Sequence, residues 1–158
     1  MSDQYKALLK IRRQRELTKT LIASKKQKEL EDAQSEEARK KQALEEFKDQ
    51  RKVEQENIYD SNTNVEIDIK SVSKINAKIS ELKQRQSEHE SVVDNAEKQT
   101  ATQQAELQAA RQEHLKQYRA VKKFEHLVDQ QDGEQRREQE RSEELKQEEI
   151  TKPTSSNN

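Results

Sequence analysis

Three imidazoles, His89, His114 and His126, are the side chains in this sequence best suited to ligate a transition metal or move a proton near neutral pH. Metal ligands on a helix must recur within a turn or so, and these three are too far apart in sequence to share one helical face. Cysteine is absent, which removes thiolate chemistry and any disulfide framework and suits a reducing compartment. A single glycine, Gly133, excludes a glycine-rich phosphate loop. The 32 acidic residues recur at helical spacing throughout, so no pair stands out as acid and base. Catalytic, metal and cofactor sites are therefore all expected to be none. The cluster Arg12, Arg13 and Arg15 fits a grip on an acidic protein surface, and its alternative reading is a solvated helix face. Nucleic acid is disfavoured, because only Tyr5 interleaves with these charges and the net charge is −1.

The elements that would carry these residues follow from composition. Charged residues make up 40% of the 158-residue chain and hydrophobic ones only 28%, too few for a thick core. A near-zero net charge argues against simple disorder. With one Gly and one Pro, the chain lacks the residues that turn a compact fold every few elements. Glu, Lys, Gln, Arg and Ala favour long helices, whose apolar residues form a thin seam. The fold expected is all-α, a long antiparallel two-helix coiled-coil hairpin.

From residue 72 onward an apolar stripe recurs at alternating steps of three and four. Its apolar members are Val72, Ile75, Ile79, Leu82, Val93, Leu107, Val121, Phe124 and Val128, with Gln86, His89, Ala96, Thr100, Gln103, Ala110, His114 and Gln117 between them. An unbroken 3.5-residue period keeps one stripe facing a partner helix. Its polar centre predicts a weak, close-packed middle and stronger ends. In the first half Leu30, Ala33, Leu44, Phe47 and Ile58 share one phase, while Tyr5, Leu8, Leu9, Ile11, Leu17, Leu21 and Ile22 cluster in a shifted one.

The polar cluster from Asp60 to Asn64 separates the stripes, and Thr63 with Glu66 fits a capping box. The expected layout is a single hairpin over 1–150, with a helix over about 3–59, a tip loop over about 60–63 and a helix over about 64–150. Residues 151–158 read as a disordered tail. A rival local reading takes 65–70 as a strand, because apolar and polar residues alternate there. Folding about Asn62 would set Tyr5 near residue 118 and leave the end of the second helix as an overhang, with Gly133 as a hinge. Residues 1–28 hold nine Lys or Arg against two acids, and residues 129–150 hold nine Asp or Glu against four bases. No run is apolar enough to span a bilayer, and the first 28 residues do not read as a secretory signal.

Three segments together have a familiar form: YKALLKIRRQREL at 5–17, YRAVKKFEHL at 118–127 and EQRREQERSEELKQEE at 134–149, with a polar break near residue 60. The chain resembles the YscO/FliJ family of bacterial type III secretion stalk proteins, on its YscO (injectisome) branch. That resemblance implies a monomeric hairpin in the cytoplasm at the base of a secretion apparatus. It implies a non-enzymatic stalk linking the hexameric export ATPase to the cytoplasmic domain of the export-gate protein, and able to bind secretion chaperones. By location, Arg12, Arg13 and Arg15 with the acidic overhang would face the ATPase, and Phe47, Ile58 and Tyr59 the gate. The alternatives are a homodimeric structural scaffold and a client-binding chaperone hairpin.

Overall fold

The computed structural model describes residues 2–62 and 68–151. They form two helices, α1 (Ser2–Asn62) and α2 (Ile69–Thr151), packed antiparallel as a coiled-coil hairpin. Neither helix meets a breaker strong enough to stop it, and α2 continues through Gly133, where an added Cβ would meet nothing within 4 Å. The expected Thr63–Glu66 capping box lies outside the described residues, as do most of the alternating run at 65–70 and the tail from 152. Asp68 caps the described start of α2. Its carboxylate accepts the Ser71 N–H at 2.8 Å, and its carbonyl accepts the Val72 N–H at 3.1 Å. The Ser71 hydroxyl and then the Ser71 N–H hold the Asp68 carboxyl below its ordinary range. Ile69 and Lys70, read alternatively as strand, are helical. At the end of α1, the Asn62 amide donates to the Ile58 carbonyl at 2.6 Å.

The chain divides into two compact units, one made of the segments up to Ala23 and from Ala110, the other of Ser24–Ala109. In the first, Leu9, Val121 and Val128 form a buried cluster against which Tyr5 and Phe124 pack. Lys6 reaches Asp132 at 3.8 Å and Arg13 reaches Glu125 at 3.4 Å. This register puts Tyr5 with the Val121–Val128 cluster rather than near residue 118. The reason is that α1 ends at Asn62 and α2 begins only at Ile69, so the fold-back point lies further along the chain than Asn62.

The phase near the N-terminus also differs from the sequence reading. The face turned to α2 is Tyr5, Leu9, Arg12, Glu16, Lys19 and Ala23, all buried or half-buried. It lies in the same phase as Leu30. Leu8, Ile11, Leu17, Leu21 and Ile22 are exposed instead. A polar side chain on the seam costs less than a phase slip, because a slip would break the match along the whole helix.

In the second unit Leu30, Leu44, Phe47, Leu82, Val93 and Leu107 are buried. Between them Ala33, Ala96 and Thr100 narrow the gap, so that the Thr100 hydroxyl lies 3.1 Å from the Ala96 carbonyl and 3.3 Å from the Ala33 carbonyl across the seam. Nearest the break the seam is loose, contrary to the expectation of a strong end. Val72 is 44% exposed, and Ile75 and Ile79 are only half-buried. Two helices alone cannot enclose side chains where one of them has just ended.

Candidate functional site

The three arginines do not share a surface. Successive helical residues point about 100° apart, so neighbours in sequence diverge. Arg12 lies half-buried on the seam with its guanidinium 5.5 Å from the Phe124 ring centre, a cation–π geometry. Arg13 pairs with Glu125. Lys122 first, and then Arg13, hold that carboxyl below its ordinary value. Arg15 is exposed and enters no ion pair among the described residues. The basic block is thus divided between seam, flank and open surface.

Phe47, placed by sequence among the partner-facing residues, is a seam residue. It is 6% exposed, stacks on His89 with ring centres 4.8 Å apart, and has the Arg85 guanidinium 5.3 Å from its ring centre. Ile58 is half-buried, whereas Tyr59 is 56% exposed. Ile58 belongs to a shallow groove with Asn57, Ser61, Asn62, Ser71, Lys74, Ile75 and Lys78. Ile58 and Ile75 were both singled out by the sequence, one as partner-facing and one as seam, but the two lysines beside them were not. The signal was present in the four-residue spacing of Lys70, Lys74 and Lys78.

Of the histidines, His89 packs on Phe47, and the His114 Nε2 stands 3.8 Å from Glu16 across the seam. Seam amides are less well served. The Oε1 atoms of Gln103, Gln117 and Gln131 are buried without a hydrogen-bond partner. From Glu134 to Thr151 every residue is exposed, including Leu145 and Ile150 among the acidic side chains. Among the described residues no three His, Cys, Asp or Glu side chains are placed to hold a metal, and no helix is long and apolar enough to cross a membrane.

Fold and surface together define an all-α coiled-coil hairpin whose exposed surface includes an acidic run beyond Glu134 and a groove lined by Ile58 and Ile75. The chain belongs to the YscO family: the family described as "Type III secretion protein YscO" matches it over residues 5–153. It is therefore a type III secretion protein. In fold it is similar to the 2.8 Å crystal structure of the type III secretion protein YscO from Vibrio parahaemolyticus, with a TM-score of 0.85 and 22% sequence identity. That similarity covers 94% of this chain and 93% of the Vibrio chain. None of the curated proteins compared with the chain matches it.

Proposed function

We propose that the protein is a non-enzymatic stalk of a type III secretion apparatus, standing as a monomer on its cytoplasmic side. It links the export ATPase ring to the export-gate protein and can receive secretion chaperones. The observation that carries this reading is the family match along almost the whole chain, on a hairpin whose two regions differ in chemistry. One region presents Arg15 and the acidic run beyond Glu134, suited to electrostatic engagement of a charged ring. The other presents Ile58, Tyr59 and the Lys74–Lys78 groove, suited to an apolar and anionic segment of a second partner. Holding two partners at defined positions needs a stiff connector and no reacting group.

The test is a pull-down with the cognate ATPase and, separately, with the cytoplasmic domain of the gate. Arg15→Glu combined with Lys10→Glu, the latter at an exposed basic position about one and a half turns before Arg15, is expected to weaken ATPase capture by about tenfold or more, steeply with salt. Ile58→Ser with Tyr59→Ser is expected to lose the gate and keep the ATPase. Failure to bind either partner, with helicity intact by circular dichroism, would remove the proposal.

A further inference from the structure

The residues that the N-terminal phase leaves outside are not scattered. Leu8, Ile11, Arg15, Thr18 and Ile22 follow one another at steps of three and four, so they form a second helical stripe beside the one facing α2. Leu8 is 44% exposed, Ile11 46% and Ile22 38%. The ion pairs Lys6–Asp132 and Arg13–Glu125 occupy the opposite flank of the seam. On the stripe's own flank, α2 presents Lys116, Ala120, Lys123 and Leu127 by the same heptad register, with Ala120 and Leu127 half-buried. The flank therefore has an apolar centre with Arg15, Lys116 and Lys123 on it, and none of the three enters an ion pair among the described residues. Glu113 and, one heptad past Leu127, Glu134 are the acidic residues that the register brings to this side, one at each end of the cationic stretch.

We infer that this flank is the docking site for an acidic amphipathic helix of a partner protein, which lies along α1 and α2 as a third helix. An apolar stripe at heptad spacing is the complement of another such stripe, and packing a third helix would bury Leu8, Ile11, Ile22 and Leu127 together. The three cations select a partner whose flanking positions are Glu or Asp. A second copy of this chain is a poor occupant. A two-fold contact would set Arg15, Lys116 and Lys123 of each copy against those of the other. The exposed acidic end of a second copy offers only Leu145 and Ile150 as large apolar groups, too few to cover the stripe. An anionic membrane surface matches the charge, but interfacial binding favours an aromatic component, and none of these flank residues is aromatic. The inference rests on this exposed flank and does not require the ATPase–gate reading.

The experiment uses the full chain and a fluorescent synthetic 21-residue peptide with Leu at the seam positions of three heptads and Glu beside them. Controls are the same composition scrambled, and vesicles of phosphatidylglycerol and phosphatidylcholine. Anisotropy is expected to show binding of the patterned peptide. Leu8→Ser with Ile22→Ser should weaken it about tenfold or more, and Arg15→Glu with Lys123→Glu likewise, with helicity unchanged. Leu17→Ser with Leu115→Ser, on the ion-paired side, should leave it unaltered. Equal binding of the scrambled peptide would reduce the site to bulk charge and overturn the inference. So would vesicle binding without peptide binding, or peptide-free dimerisation abolished by the Leu8 and Ile22 changes. Retained capture of the ATPase by a Leu8→Ser, Ile22→Ser chain that has lost the peptide would leave the stalk reading standing on its own.

Discussion

Leu107 and Val121, at 4% and 3% exposure, are the most enclosed large side chains among the described residues, and each is covered by only one opposing helix. Leu107→Ala is expected to cost about 2–3 kcal/mol, near the low end for buried leucines, because a two-helix seam can close around the gap. Urea unfolding followed at 222 nm checks this, with Leu17→Ala as a control expected to change stability by less than about 0.5 kcal/mol. Leu17 is 60% exposed. Gln117 makes the converse case. Its Oε1 is buried without a partner, so Gln117→Leu should raise stability by about 1–2 kcal/mol in the same assay. The sequence marked Gln117 as a seam position. Whether its amide would find a partner depends on atoms across the seam, which the spacing of one strand of sequence cannot supply. Phe47 shows the same limit, since a large aromatic near a break reads equally well as an anchor for a partner or as a rung of the seam.

At the scale of elements, the start of α2 depends on Asp68. Asp68→Ala removes the acceptor of the Ser71 N–H and should speed hydrogen exchange at residues 71–74, while exchange around Val121 stays unchanged. Protection equal to that of the parent chain would show that the cap contributes nothing. Gly133 sits in continuous helix with open space where a Cβ would stand, so Gly133→Ala is expected to stabilise that segment by about 1 kcal/mol and to raise helicity on a thermal melt. The two helices themselves were legible in the sequence, because almost nothing in it can end one. The cap was less so. Asp68 carries no capping-box partner three residues on, so the local pattern drew attention to Thr63 and Glu66 and passed over it.

Across the molecule, stability should depend on pH in a direction that the ion pairs set. Lys41 first, with Thr100, lowers the Glu37 carboxyl; Lys122 first lowers Glu125; Ser71 lowers Asp68. Groups depressed in the folded state add stability above their unfolded values and lose it as pH falls through the folded ones. Lys26, raised chiefly by Glu106, Lys41, raised chiefly by Glu37, and Lys122, raised chiefly by Glu125, behave in the opposite sense. Their contribution is complete below the ordinary lysine value and disappears as pH rises through the folded one. Melting temperature should therefore hold a plateau between about pH 4 and pH 10 and decline on both sides, and added salt should flatten the curve. Light scattering at neutral pH should return the mass of one chain, 18.6 kDa, since each helix already has its partner within the chain.

The sequence by itself determined the helices, the seam of α2 from Ile75 to Val128, and the membership that three charged segments announced. All of these rest on properties that repeat along one chain: helix propensity, the scarcity of breakers and a 3.5-residue period. Tertiary structure decided the rest. It set the register that puts Tyr5 with Val121 and Val128. It carried a single phase of α1 through Arg12, Glu16 and Lys19 and turned Leu8, Ile11 and Ile22 outward. Apolar side chains mark which faces of a helix are candidates for burial, but only the opposing helix, matched along its whole length, selects one of them.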